Sequence, residues 1–192
     1  MNQIKPLQKA MSEKLKPAGY EYMNLDCGYS TKRRDAEGNL VVNLTQYPHG
    51  MPWLGNTIHN LGLKFGMYAG QGISQCCSKI DPDATDGSEG YYEKDASLFE
   101  SWNVDYLKFD GCAGPKSSIV AMKDALSKLS RPVLYSINNG LNVTNKDNTN
   151  MWRTTPDTDN TFSSMIGTAM TNDNNSKTFS LGQRGAWNDA DM

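Results

Sequence analysis

The chain has 192 residues, 38% of them hydrophobic and 21% charged, with a formal net charge of −2. That length suits one domain with a sizeable core. The near-balanced charge gives neither the basic footprint of a nucleic-acid binder nor a polybasic membrane patch, and no apolar run is long enough to span a bilayer.

Met1–Gly19 is polar and Lys-rich without an apolar stretch, so as it stands it is not a signal peptide. It predicts an amphipathic helix over Pro6–Leu15, ended by Pro17 and Gly19. Tyr20–Asp26 follows as a strand, then a polar loop through Lys32–Gly50. Met51–Leu61 has apolar positions at helical spacing and is stopped by Gly62. Leu63–Tyr68 is the second strand, and a glycine-rich loop runs on to Gly90. The helix Tyr91–Trp102 precedes a third strand, Val104–Asp110. The helix Ser117–Leu129 precedes a fourth, Pro132–Ile137. A short strand at Met151–Arg153, a helix over Asp159–Met170 and a strand at Gly185–Asn188 complete the series.

Strands alternating with helices predict parallel βα units joined by right-handed crossovers. There is no GxGxxG and no phosphate-binding loop, which argues against a nucleotide-binding doubly wound sheet. Polar groups instead recur at the C-terminal ends of the strands, the pattern of a barrel active site. These are Asp26, Tyr68, Lys108 with Asp110, Arg153 with Asp157, and Asp189 with Asp191. A lone Asp after a strand is most often a helix cap or a loop salt bridge. Five such positions in register point to one pocket. Two carboxylates across a bond suit glycoside hydrolysis, one attacking and one protonating the leaving oxygen. Period-two alternation puts Lys108 and Asp110 on one side of their strand, and an ammonium there would favour an ionised Asp110. Asp157, in the loop beside Pro156, is the candidate acid.

The four cysteines, Cys27, Cys76, Cys77 and Cys112, and the two histidines lack the spacing of a zinc site. Asp189-Ala-Asp191 lacks the remaining ligands of a calcium loop. His49 and His59 read as a loop hydrogen-bonder and a helix-surface residue. Trp53 and Trp102 read as core, while Trp152 and Trp187 are evenly placed between core and sugar platform. Sequons at Asn43, Asn142 and Asn174 and the even cysteine count agree with an oxidising compartment.

The motifs GYEYMNLD, LGLKFGMYAG, YLKFDGC, MWRTTPD and AWNDADM, in that order, resemble glycoside hydrolase family 27, the α-galactosidase and α-N-acetylgalactosaminidase family, over roughly Lys16 to Met192. The resemblance implies a (β/α)8 barrel and retaining cleavage of terminal α-D-galactosyl residues, with no metal and no organic cofactor. It makes Asp110 the nucleophile and Asp157 the acid/base. Asp26, Lys108, Arg153 and Asp191 become sugar-hydroxyl partners, Tyr68 a pocket-wall aromatic, and Asp189 structural. It pairs Cys76 with Cys112, which leaves Cys27 with Cys77, although vicinal Cys76 and Cys77 could exchange roles. Asp26-Cys27-Gly28 lacks the second aspartate many members carry. Ile137-Asn138-Asn139 replaces the segment that reads the sugar 2-position, so Asn138 is a candidate sugar contact. N-acetylgalactosaminides or β-L-arabinopyranosides are alternative substrates, and a non-catalytic carbohydrate-binding remnant is an alternative role.

Six strands are counted where a closed barrel has eight in about 250 residues. The expectation is an incomplete barrel, with residues 1–192 forming part of the catalytic domain of a larger secreted glycosidase. The family's first strand, its last βα unit and its C-terminal β-sandwich would be missing.

Overall fold

The computed structural model describes residues 4–111, 114–138, 148–178 and 185–191. Helix α1 (Ile4–Ala10) continues through a π turn (Met11–Leu15) and a 3-10 turn (Lys16–Ala18). Gly19 ends it at a φ of 97°, a conformation that glycine adopts without a Cβ clash. The βα series follows: β1 (Tyr22–Asn24), β2 (Ser30–Arg34), β3 (Leu40–Val42), α2 (Gly50–Asn60), β4 (Lys64–Gly70), α3 (Tyr92–Ser101), β5 (Tyr106–Asp110) and α4 (Ser118–Leu126). The chain goes on through β6 (Leu134–Asn138), β7 (Met151–Arg153), α5 (Phe162–Thr178) and β8 (Trp187–Asp189).

Six strands form one sheet in the order β1-β4-β5-β6-β7-β8, every neighbouring pair parallel. Among the described residues, β1 and β8 each have one neighbour, so the sheet is an open arc of an incomplete (β/α)8 barrel. Register divides the side chains cleanly. Met67 pairs with Leu107, which pairs with Tyr135; Ala69, Phe109 and Ile137 form the next row. These residues are buried, and together with Trp152 they pack with Met51, Leu54 and Ile58 of α2, Phe99 of α3 and Met122 of α4 into one core. The alternate residues, among them Tyr68, Lys108, Asp110, Ser136 and Asn138, face the inside of the arc. The alternation follows from the two-residue side-chain period of a strand.

At the N-terminal end of the strands Asp105 ties the layers together. It accepts the Phe65 N–H (2.8 Å), lies 2.6 Å from His59 Nε2, and pairs with Arg131. His59 is therefore anchored to the sheet rather than free on the helix surface. His49 stacks against Trp53, ring centroids 4.7 Å apart.

Two stretches differ from expectation. The polar segment 32–50 is not simply a loop, because β2 and β3 pair antiparallel within and just before it. Ser30–Arg34 carries no apolar alternation, for its side chains make ion pairs instead. Arg34 holds Asp95 through two 2.7 Å hydrogen bonds with both side chains nearly inaccessible, and its guanidinium lies 4.1 Å over the Tyr91 ring. Burial raises the Asp95 carboxyl while Arg34 opposes the shift. Beside it Asp86 accepts Ser30, the Gln75 N–H and Ser78, which fastens the long loop after β4 to the hairpin. The second difference is α5, which runs to Thr178 rather than Met170. Its Asn-rich end is held by side-chain bonds, with the Thr154 hydroxyl donating to Asn172 and Asn175 donating to the Thr154 carbonyl.

Candidate active site

Strand register brings the polar residues to one level. Gly70 pairs with Asp110, Asp110 with Asn138, and Arg153 with Asp189. All lie at the C-terminal ends of their strands on the inward face. A cavity of about 170 Å3 opens there, lined by Asn24, Leu25, Asp26, Tyr106, Lys108, Ser136, Ile137, Asn138, Arg153, Asp189 and Asp191.

Asp110 does not itself line this cavity but bonds the lining residue Asn138, and both its oxygens are engaged. The Tyr68 hydroxyl donates to Oδ2 at 2.8 Å and the Asn138 amide donates to Oδ1 at 2.7 Å. Burial, and then the neighbouring Asp110 charge, pushes the Tyr68 phenol far above its ordinary value, so Tyr68 stays a donor. Tyr68 is thus more than a wall aromatic. Its oxygen accepts the Cys76 N–H at 3.3 Å, and Cys76 Sγ approaches Asp110 Oδ2 at 2.9 Å. That approach requires glycine at position 70, where a Cβ would sit 2.9 Å from both Gln75 Cα and the Ser74 carbonyl.

Lys108 shares the inward face with Asp110, as period two requires, but its charge goes elsewhere. It sits one level down, and its ammonium pairs with Asp26 at 2.7 Å while lying 5.5 Å from the Tyr68 ring centroid. The expected Lys108–Asp110 partnership is replaced by neutral donors on Asp110 and a separate Asp26–Lys108 pair.

Across the arc, Arg153 bonds two carboxylates at once, Asp157 and Asp191, the latter at 3.2 Å. The Asp191 side chain is 5% exposed and that of Asp157 is 87% exposed. Asp191 also accepts the Thr158 N–H at 2.5 Å, and its backbone is left-handed at a φ of 80°. Asp189 accepts the Asp191 N–H at 3.0 Å. Burial is the main influence raising its carboxyl; the Asp191 N–H bond opposes it, the Asp191 charge adds to it, and Arg153 and Lys108 oppose it less.

Cys27 and Cys77 form a disulfide. This answers which of the vicinal cysteines takes Cys27, and it ties the residue after Asp26 to the loop that carries Cys76. Cys76 is disulfide-bonded as well; its expected partner, Cys112, lies outside the described residues, as do Asn139 and the Asn142 sequon. Trp152 and Trp102 are core residues, whereas Trp187 and Trp53 are exposed, so the core reading of Trp53 is corrected. Trp187 is beside Lys64 and Arg131 at the opposite end of the strands from Asp110, not in the cavity. Sequence reasoning passed over Tyr106, Ser136 and Asn24. Tyr106 and Ser136 lie two residues before Lys108 and Asn138, so the same alternation would have found them.

The fold and site are those of a partial (β/α)8 barrel with a carboxylate-rich pocket at the C-terminal ends of its strands. The family model described as alpha galactosidase A matches residues 4–192, and the chain belongs to that family. It is 39% identical to an alpha-galactosidase of Coffea arabica over 83% of this chain and 43% of that protein. To an alpha-galactosidase of Cyamopsis tetragonoloba it is 38% identical over all of this chain and 47% of that one. The solved structure of an alpha-galactosidase from Saccharomyces cerevisiae superposes with a TM-score of 0.83 at 27% identity, covering 97% of this chain and 47% of that chain. The chain thus spans about half the length of the curated relatives it matches.

Proposed function

We propose that the chain carries the catalytic centre of a retaining glycoside hydrolase acting on terminal α-D-galactosyl residues. The observation that carries this reading is the Asp110 carboxylate, fixed on both oxygens by Tyr68 and Asn138 at the C-terminal end of an inward-facing strand row, in a chain of the family described as alpha galactosidase A. Asp110 attacks the anomeric carbon. Asp157 gives its proton to the departing oxygen, and an ester between Asp110 and the sugar results. Water then attacks the same carbon, Asp157 takes a proton from it, and the Asp110 carboxylate is released. Two inversions give net retention. Asp26, Lys108, Asn138, Arg153 and Asp191 supply hydrogen bonds to sugar hydroxyls, with oriented partners replacing water. No step calls for a metal or an organic cofactor. The Cys27–Cys77 disulfide suits an extracellular location.

The test is hydrolysis of 4-nitrophenyl α-galactoside by the chain and by Asp110→Asn. Turnover that vanishes in the variant, with the α-anomer as the first sugar observed by NMR, supports the reading. The β-anomer as first product overturns the double displacement. One observation favours a second reading, a galactoside-binding chain without turnover: the Asp157 side chain is largely in solvent. Galactose binding without hydrolysis is its signature.

A further inference from the structure

Asp189 was expected to be structural, yet its position is that of a ligand-facing group. It is on the inward face, level with Arg153 by register, and it lines the same cavity as Asp26, Lys108 and Asn138. In its one side-chain hydrogen bond among the described residues, Oδ1 accepts the Asp191 N–H at 3.0 Å. Among the described residues no cation lies within ion-pair distance of it: Arg153 is engaged by Asp157 and Asp191, and Lys108 by Asp26. A half-buried carboxylate with one oxygen uncommitted in a polar cavity is costly unless something there hydrogen-bonds to it.

We infer that Asp189 is a substrate-contacting, specificity-determining residue, whose free oxygen accepts a hydrogen bond from one hydroxyl of a bound pyranose. The strand order places β8 at the opposite edge of the arc from β1, which delivers Asp26. The two carboxylates therefore read different hydroxyls of the same ring. This inference rests on the proposed glycosidase reading and deepens it. A site built to accept a particular hydroxyl discriminates strongly against an analogue lacking it, because the polar group is then left unpaired.

The experiment uses the full chain and Asp189→Asn, which keeps an Oδ1 acceptor for the Asp191 N–H and removes the charge. 4-Nitrophenyl α-galactoside and its 2-, 3-, 4- and 6-deoxy analogues are the substrates. A charge-assisted hydrogen bond predicts a loss of roughly 10- to 100-fold in kcat/KM on the parent sugar. That penalty collapses towards unity for one deoxy analogue, and Asp26→Asn collapses on a different one. A penalty that is uniform across the analogues, or confined to thermal stability, overturns the assignment in favour of a structural role. If the parent chain binds sugar without turning it over, the glycosidase reading fails alone, and the same comparison is made on dissociation constants from tryptophan fluorescence. Equal affinities in the chain and Asp189→Asn then overturn Asp189. A chain that binds none of these sugars overturns both.

Discussion

The two walls of the pocket are built on different principles. On the β4–β5–β6 side the strands have five to seven residues, their register is continuous, and Asp110 is gripped by neighbours from the strands on either side. Behind that wall the loop after β4 is fastened to a hairpin through the buried Arg34–Asp95 and Asp86 networks. On the β7–β8 side the strands have three residues each, and Asp157 and Asp191 are connected through one guanidinium. The first wall holds its carboxylate by sheet geometry. The second holds its own by a shared cation in loops. A group that must keep one position throughout a reaction suits the first, and a group that must give up and regain a proton beside solvent suits the second.

The contrast can be broken from either side. Arg34→Ala leaves Asp95 buried without its counter-ion and is expected to cost about 3–5 kcal/mol, read in denaturant melts. Activity should fall with it, since the loop bearing Cys76 loses its support. Asp157→Asn should leave stability unchanged and slow hydrolysis of an alkyl galactoside on the order of 10²- to 10⁴-fold. The loss should be far smaller in the first step with 4-nitrophenyl galactoside, whose leaving group needs little protonation; equal losses on both substrates would deny Asp157 the acid role. Replacing both Cys27 and Cys77 by Ser opens a loop with a sequence separation of 50. It should lower stability by about 2–4 kcal/mol, measured by calorimetry. Tyr68→Phe removes one donor from Asp110 and should lower kcat roughly 10-fold or more with little change in KM; a change confined to KM would assign Tyr68 to sugar binding instead. The smallest effect concerns pH. Burial raises Asp189 from its ordinary value of 3.8, so the folded state binds its proton more tightly than the unfolded one. The associated stability is present in acid and lost as pH rises through the raised value. Asp189→Asn should melt slightly above the parent chain at neutral pH, with no gain below pH 3.8. A gain that persists in acid would rule out this origin.

Much of the parallel sheet was legible because each strand pairs a short apolar run with a breaker, and because inward and outward residues alternate. Lys108 and Asp110 could be placed on one face from spacing alone. What spacing does not carry is reach. A lysine side chain is long enough to leave its own strand neighbour and bond Asp26, and the sheet supplied Asp110 with Asn138 and Tyr68 instead. The β2–β3 hairpin was missed for a related reason. Ser30–Arg34 is stabilised by ion pairs with residues about 50 to 60 positions away, so no local apolar pattern announces it. The choice of Cys77 over Cys76 for Cys27 depends on the path of the loop, set by the close packing at Gly70. Asp189 lines the cavity together with Asp191, a placement that strand alternation also allows from sequence.

Asp191 is constrained twice over. Its left-handed backbone favours glycine, asparagine and aspartate over other residues, and of those three only aspartate brings a charge to Arg153. Tolerance at this position should therefore separate into two tiers in a saturation library. Gly and Asn keep the chain folded and leave Arg153 with Asp157 alone, while β-branched residues lose the turn itself. Position 191 thus offers a way to loosen the second wall electrostatically without disturbing the backbone that shapes it.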